Sequence, residues 1–281
     1  MSLAIINNIL APPQRLCQML FAMHPDAAAV YSGERRWAVL HGDCTELLPT
    51  LERVDHVITD PPYLLDLQKC VTVGRRHDFT IHKGALPTRA IGYVGFTPEN
   101  VAAVGPLIAP LVARWCLVWH DAESGHLWRD ALGLRHVRIG AWCRSNPQPQ
   151  FTGDRPAVGF EAVSIEHSKT GKMRWNGGGK AAVYYYAQRV GTISEIEGHP
   201  TPKPEALMRQ LADDFTDHGD LILDPFCGSG TTGLAALRLG RRFIGIEREE
   251  KWATLSRERL QAETENSTLR ARQAGQEPLF K

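Results

Sequence analysis

Asp60-Pro61-Pro62-Tyr63 is the first stretch whose residue types could do chemistry. It sets a carboxylate, a stiff backbone and a flat aromatic face side by side. Two prolines fix φ and remove two N–H groups, so the carbonyls there remain free as acceptors. Such a set suits one task, the gripping of a planar group that carries an NH2. The plain alternative is an ordinary strand-to-loop turn, where Asp-Pro is common.

A second constellation stands near the C-terminus. Asp224-Pro225-Phe226-Cys227 leads into Gly228-Ser229-Gly230-Thr231-Thr232-Gly233. The glycines let backbone approach a ligand, and a helix opening there offers free N–H groups. Glu247 follows about 20 residues after the first glycine, the spacing of a carboxylate that bonds ribose hydroxyls. The pattern points to a nucleoside cofactor. A tight turn in an α/β domain with no ligand is the competing reading.

The elements that position these residues can be read from apolar runs and breakers. Val54 to Thr59 is a short buried strand, so Asp60 stands at a strand's C-terminal edge, where open α/β sheets place ligands. Asp220 to Leu223 is a strand before the glycine loop, Leu234 to Leu239 a helix, and Arg242 to Ile246 a strand ended by Glu247. Further strands are read at Trp37 to His41, Trp115 to Trp119, Val137 to Cys143 and Gly159 to Ile165. Helices are read at Thr45 to Leu51, at Val101 to Val112 behind the N-cap Thr97, and at Gly125 to Leu132. Only one helix and a tail follow Glu247, so the sheet must take its other strands from upstream. That order disfavours a nicotinamide oxidoreductase, whose glycine motif usually opens the domain.

The domain division follows. Residues 1–35 are a lead-in with one short helix over Arg15 to Met23. Residues 36–262 form the domain, residues 64–96 a long loop without clean period, and residues 263–281 a polar tail. Among 281 residues, 43% are hydrophobic and 22% charged, as in a globular protein. The net charge of +1 requires any nucleic-acid surface to be local. Lys169 to Lys180 is such a stretch, with Lys172, Arg174 and Lys180 as candidate DNA contacts; a solvated glycine-rich loop is its rival. The six cysteines include no C-x-x-C pair, which argues against zinc and disulfides and fits a cytoplasmic protein. The Leu3 to Ile6 run is too short for a membrane span.

Together these motifs resemble the DNA amino-methyltransferases that use S-adenosylmethionine, in their permuted β-type order. Asp60-Pro61-Pro62-Tyr63 matches the catalytic motif. Asp224-Pro225-Phe226-Cys227-Gly228-Ser229-Gly230 matches the cofactor motif. His199-Pro200-Thr201-Pro202-Lys203-Pro204 matches the family's His-Pro-Thr-x-Lys-Pro between them. The resemblance implies a circularly permuted Rossmann-like sheet, helices on both faces, and a small recognition insertion over residues 169–197. It implies that Asp60, Pro61, Pro62 and Tyr63 are catalytic. By the same resemblance Asp224, Phe226, Gly228, Ser229, Gly230 and Glu247 hold S-adenosylmethionine, with Asp43 by its adenine and Thr201 and Lys203 by its methionine carboxylate. No metal is implied. Asp at the first motif position favours adenine N6 as the target; cytosine N4 and a non-catalytic DNA-binding relative are the alternatives. Double-stranded DNA is the expected substrate, and the short recognition segment makes a homodimer an expected helper. The tail end, Gln276-Glu277-Pro278-Leu279-Phe280, resembles the peptide by which bacterial replication proteins dock on the sliding clamp through a Gln, a Leu and a Phe. Its alternative is a fold-back of Leu279 and Phe280 onto the domain.

Overall fold

Strand β3, Trp115–His120, shows how this chain builds a two-sided core. Trp115, Leu117 and Trp119 point to one face and Cys116 and Val118 to the other, and every residue of the strand is buried. A strand covered on both faces belongs to the middle of an α/β sheet. In this computed structural model, residues 23–64, 95–147, 156–188, 202–269 and 272 are described. Their strands are β1 (Trp37–His41), β2 (His56–Thr59), β3, β4 (Arg135–Arg144), β5 (Phe160–His167), β6 (Val183–Tyr186), β7 (Leu221–Asp224) and β8 (Arg242–Glu247).

They form one sheet in the order β1-β8-β7-β2-β3-β5-β4-β6. Only β5 of these strands runs against its neighbours. Strand order reverses direction between β7 and β2, which is the topological switch point where such sheets bind ligands. Asp224 ends β7 and Asp60 follows β2, so both motifs meet at this point. The expected permutation is therefore observed: the late strands β7 and β8 sit between the early strands β1 and β2.

Helices cover both faces. One face carries α1 (Pro25–Tyr31), α2 (Cys44–Leu47), α3 (Pro98–Ile108) and α4 (Gly125–Leu132) over Leu40, Val57, Val118 and Ile244. The other carries α5 (Glu205–Phe215), α6 (Thr231–Arg238) and α7 (Glu250–Thr264) over Ile58, Leu117, Ile222 and Phe243. Thr97 caps α3 with a reciprocal box: its hydroxyl accepts from Asn100 N–H, and the Asn100 side chain accepts from Thr97 N–H.

Several boundaries differ from the sequence reading. Helix α2 stops at Leu47 and continues as a 3-10 turn over Leu48–Thr50, because Pro49 has no N–H to extend it. Helix α1 belongs to the domain rather than to a lead-in: Arg242 Nη1 donates to the Val30 carbonyl at 3.0 Å, and the Tyr31 hydroxyl to the Glu52 carbonyl at 2.6 Å. At the other end α7 reaches Thr264. Strand β6 lies within the segment read as a recognition insertion, and it closes the sheet beside β4. The expected helix over residues 15–23, apart from Met23, lies outside the described residues, as do Thr201, Gln276, Leu279 and Phe280. No helix of the described residues is long and apolar enough to cross a membrane.

Candidate active site

Asp60 leaves β2 into Pro61-Pro62, just past the last residue of the strand. Its carboxylate meets the ammonium of Lys203, which arrives from the segment before α5, with Nζ 2.6 Å from Oδ2. The other oxygen, Oδ1, is shut away from solvent and accepts no hydrogen bond among the described residues. A buried acceptor without a donor is costly and rare, so its free lone pairs call for a role. Burial raises the Asp60 carboxyl; Lys203 draws it down, Glu161 pushes it up, and the net shift is upward.

Around this pair lies a four-charge cluster. Glu161, near the start of β5, accepts the Tyr63 hydroxyl at 2.6 Å and faces Lys203 at 3.0 Å through Oε2. Its Oε1 is bonded by Arg144 of β4. Burial would raise Glu161, but the Lys203 and Arg144 cations and the Tyr63 hydroxyl bring it down to about 2. Burial also lifts the Tyr63 hydroxyl well above its usual range, so Tyr63 is a neutral donor here. Lys203 lies 5.3 Å from the Tyr63 ring centre and 5.4 Å from that of Trp119, a cation over two aromatic faces. Burial would lower the Lys203 ammonium, but Asp60 and Glu161 more than offset that and raise it. The resemblance puts Lys203 near the methionine carboxylate of the cofactor, and in the structure its ammonium is engaged by Asp60 and Glu161. It does precede α5, and its charge is shared between the partly buried carboxylates of Asp60 and Glu161.

The glycine loop is buried almost throughout. Between Leu221 and Leu237 only Phe226 and Gly228 are half-exposed, and across from them Glu247 is half-exposed at the end of β8. Glu247 takes Gly228 N–H at 2.9 Å through Oε2 and Glu249 N–H at 2.8 Å through Oε1. Burial raises its carboxyl. Phe226 turns its ring edge to Phe96 at 5.3 Å, and Phe96 stacks on Trp128 at 6.2 Å. An aromatic ring, a half-exposed glycine and a half-exposed acid therefore stand close together where β7 and β8 end. These residues fit a nucleoside group: the ring for its base, the acid for its hydroxyls.

Other residues of the motif act behind these three. Asp224 is buried, and both oxygens are used: Oδ1 accepts Thr59 Oγ1 at 2.7 Å and Phe226 N–H at 3.1 Å, and Oδ2 accepts Thr232 Oγ1 at 2.7 Å. With both carboxylate oxygens so engaged, it braces β7 to β2 and α6. Ser229 is buried too, and its carbonyl is held by Arg259. Gly230 has φ +79°, and a Cβ there would lie 2.3 Å from Ser256 Oγ, so glycine is demanded by the packing of α7. Asp43 caps α2, its Oδ1 accepting Thr45 N–H at 2.8 Å and Thr45 Oγ1 at 2.7 Å. It stands two residues past His41, which is in register with Glu247.

The basic stretch lies elsewhere. Trp115, at the start of β3, donates its indole N–H to the Arg174 carbonyl at 2.7 Å. Asp60 is level with Trp119, four residues further along β3, roughly 13 Å away at the usual rise of a strand. Arg174 pairs with Asp217 at 3.2 Å and Lys180 with Asp214 at 3.3 Å, while Lys172 borders the same shallow cavity as Arg114 and Asp217. Trp175 packs on Phe215 at 4.7 Å. The stretch, with its candidate DNA contacts Lys172, Arg174 and Lys180, lies at the opposite end of the strands from Asp60.

Sequence reasoning missed Glu161 and Arg144. Trp142-Cys143-Arg144 is a weak match to the family's motifs but suggests no role for Arg144, and nothing in Phe160-Glu161-Ala162 marks Glu161; the pairing of β4 with β5 brings them beside Tyr63.

Residues 123–258 match the DNA methylase family model of the N6/N4 type. The chain is 25% identical over 273 residues to the type II methyltransferase M2.DpnII of Streptococcus pneumoniae, spanning 84% of this chain and 94% of that protein. It is 27% identical over 244 residues to the type II methyltransferase M2.MboI of Moraxella bovis, spanning 81% and 89%. Among solved structures it resembles M1.HpyAVI in complex with SAM, with TM-score 0.61, 25% identity, and 80% and 98% of the two chains covered. The PvuII cytosine-N4-specific DNA methyltransferase shares the fold, with TM-score 0.59 and 16% identity over 79% and 86%.

Proposed function

We propose that this chain, which belongs to the N6/N4 DNA methylase family, methylates the exocyclic N6 of an adenine turned out of duplex DNA. The methyl group comes from S-adenosylmethionine. One observation carries the choice of reactive residue: the sealed and unbonded Oδ1 of Asp60.

A base amine is a poor nucleophile because its lone pair is delocalised into the ring. A base inside a duplex is also out of reach, so it must be extruded. Tyr63 offers its ring as the stacking face. Asp60 Oδ1 accepts one amine N–H and the Pro61 carbonyl the other. Those two bonds favour a tetrahedral nitrogen and aim its lone pair away from the ring. Bound S-adenosylmethionine supplies an electrophilic methyl group. Phe226, Gly228 and Glu247 hold its nucleoside part, and the switch point between β7 and β2 sets the two motifs side by side. What the chain contributes is positioning and fixed negative charge.

Adenine is favoured over cytosine by the Asp at position 60. Mass spectrometry of nucleosides from DNA of cells expressing the chain tests the choice. N6-methyladenine is the expected product, and N4-methylcytosine in its place would overturn the base assignment while leaving the mechanism. The cytoplasm is the proposed location. Docking of residues 276–280 on a bacterial sliding clamp is a further proposal, checked by clamp pull-down with Leu279→Ala/Phe280→Ala. Equal capture by both proteins would remove it.

A further inference from the structure

The geometry points to Glu161 as a positioning residue for the transfer, one that fixes which oxygen of Asp60 is left unpaired for the substrate amine. The inference rests on the reading of Asp60 and Tyr63 given above.

Glu161 holds three groups at once. Oε2 takes the Tyr63 hydroxyl at 2.6 Å, which fixes the plane of the stacking ring. The same oxygen lies 3.0 Å from Lys203 Nζ, and Oε1 is bonded by Arg144. Arg144 is itself anchored: Nη1 donates to the Val158 carbonyl at 3.1 Å, and the guanidinium lies 5.3 Å from the Trp142 ring centre. A tether therefore runs from the outer strands of the sheet to the reactive carboxylate.

The charge arithmetic gives the tether its purpose. Two carboxylates, Asp60 and Glu161, face two cations, Lys203 and Arg144, and all four side chains are largely shielded from solvent. Because Glu161 draws Lys203 to one side, the ammonium bonds Asp60 through Oδ2 alone and leaves Oδ1 without a donor. Without the Glu161 charge, Lys203 has one carboxylate left to neutralise it and moves over both Asp60 oxygens. The acceptor for the substrate amine is then covered. A charge cluster serving stability alone would predict a lower melting temperature and an unchanged rate.

The test uses the full chain, S-adenosylmethionine and genomic DNA from a methylase-deficient strain. Glu161→Gln keeps the shape and removes the charge. It is expected to lower kcat about tenfold or more, the scale of one charge-assisted bond, with S-adenosylmethionine affinity within about twofold of wild type, no larger than a weak indirect effect. Tyr63→Phe added to Glu161→Gln should cost less than about threefold further, because the two changes break one bond. The acid limb of the kcat profile should move as well. Asp60 is faced by Lys203, Glu161 and Tyr63, with Arg144 beyond Glu161 and Asp224 behind on β7. Removing the Glu161 charge removes a group that raises Asp60, so the limb moves to lower pH. A wild-type kcat in Glu161→Gln, multiplicative effects in the double variant, or an unmoved acid limb overturns the inference. If Glu161→Gln fails to fold in calorimetry, Arg144→Gln combined with Tyr63→Phe repeats the cycle from the far end, and multiplicative losses again overturn it. A wild-type chain that transfers no methyl overturns the functional reading as well; an active wild type beside an equally active Glu161→Gln overturns this inference alone.

Discussion

Asp224 and Asp60 end neighbouring strands, yet they are held in opposite ways. Asp224 is surrounded by neutral donors, two threonine hydroxyls and one backbone N–H, and none of its oxygens is spare. Asp60 is held by a cation on one oxygen and by no described donor on the other. Neutral donors lock a carboxylate into the frame. A cation on one side keeps a carboxylate charged and leaves its free oxygen for a visitor. The same residue type at the same sheet edge is thus a brace in one place and a grip in the other.

The comparison breaks most visibly at Asp60. Asp60→Ala should lower methyl transfer by about a thousandfold or more, since it removes the acceptor aligned with the reacting nitrogen. Cofactor affinity should stay within about threefold. A radiolabelled methyl-transfer assay with equilibrium binding checks both, and near-normal transfer would return Asp60 to a structural role.

Asp60 shifts upward as Asp224 does, but Glu161 beside it, held by two cations, responds to pH in the opposite sense. Burial raises Asp224 to about 6, above its unfolded value of 3.8. Its contribution is fully present below the unfolded value and is lost as pH rises through about 6. Glu161, brought down from 4.5 to about 2, contributes above its unfolded value and loses that as pH falls toward 2. Urea unfolding from pH 3 to 7 should therefore show the cost of Glu161→Gln shrinking as pH falls below about 4.5. The cost of Asp224→Asn should shrink as pH rises from about 4 to 6. Parallel curves for the two variants would mean that both carboxylates are held alike.

Glu247 sharpens the comparison, because it is a half-exposed acid held by N–H groups. Glu247→Ala should weaken S-adenosylmethionine by roughly 1.5–3 kcal/mol, the scale of bonds to a charged acceptor. An unchanged dissociation constant in calorimetry would take it out of the cofactor site. The smallest effect is expected at the far edge. Neutralising Lys172, Arg174 and Lys180 should change DNA affinity by less than about threefold. The salt dependence of binding should keep its slope to within about one unit, the share of a single neutralised phosphate. A larger fall would place DNA over that edge after all.

Much of this contrast was legible in the sequence, for identifiable reasons. β2 and β7 announce themselves as β-branched and apolar runs that end in Asp-Pro. The glycine loop and Glu247 stand at a spacing that encodes a strand, a turn, a helix and a strand. What the sequence hides is which atoms are already spent. Asp224 looks like a ligand until Thr59 and Thr232 are seen on it, and Thr59 is far away in the chain. Lys203 looks free until Asp60 and Glu161 are seen beside it. Strand β6 escaped notice because Val183 to Tyr186 follows a glycine-rich basic stretch whose composition suggested a loop.

The permuted strand order also sets when the molecule can become itself. Among the described strands β1 pairs only with β8, and the inner edge of β2 must wait for β7. During synthesis β1 leaves the ribosome with no neighbour, and β2 with β3 on one edge only, until about 160 more residues have followed β2. Loop closure over that distance is entropically slow, so folding is governed by late, long-range pairing. Asp224 closing on Thr59 is the seam of that event, and a nascent chain cut short before it would hold Asp60 with no frame behind it.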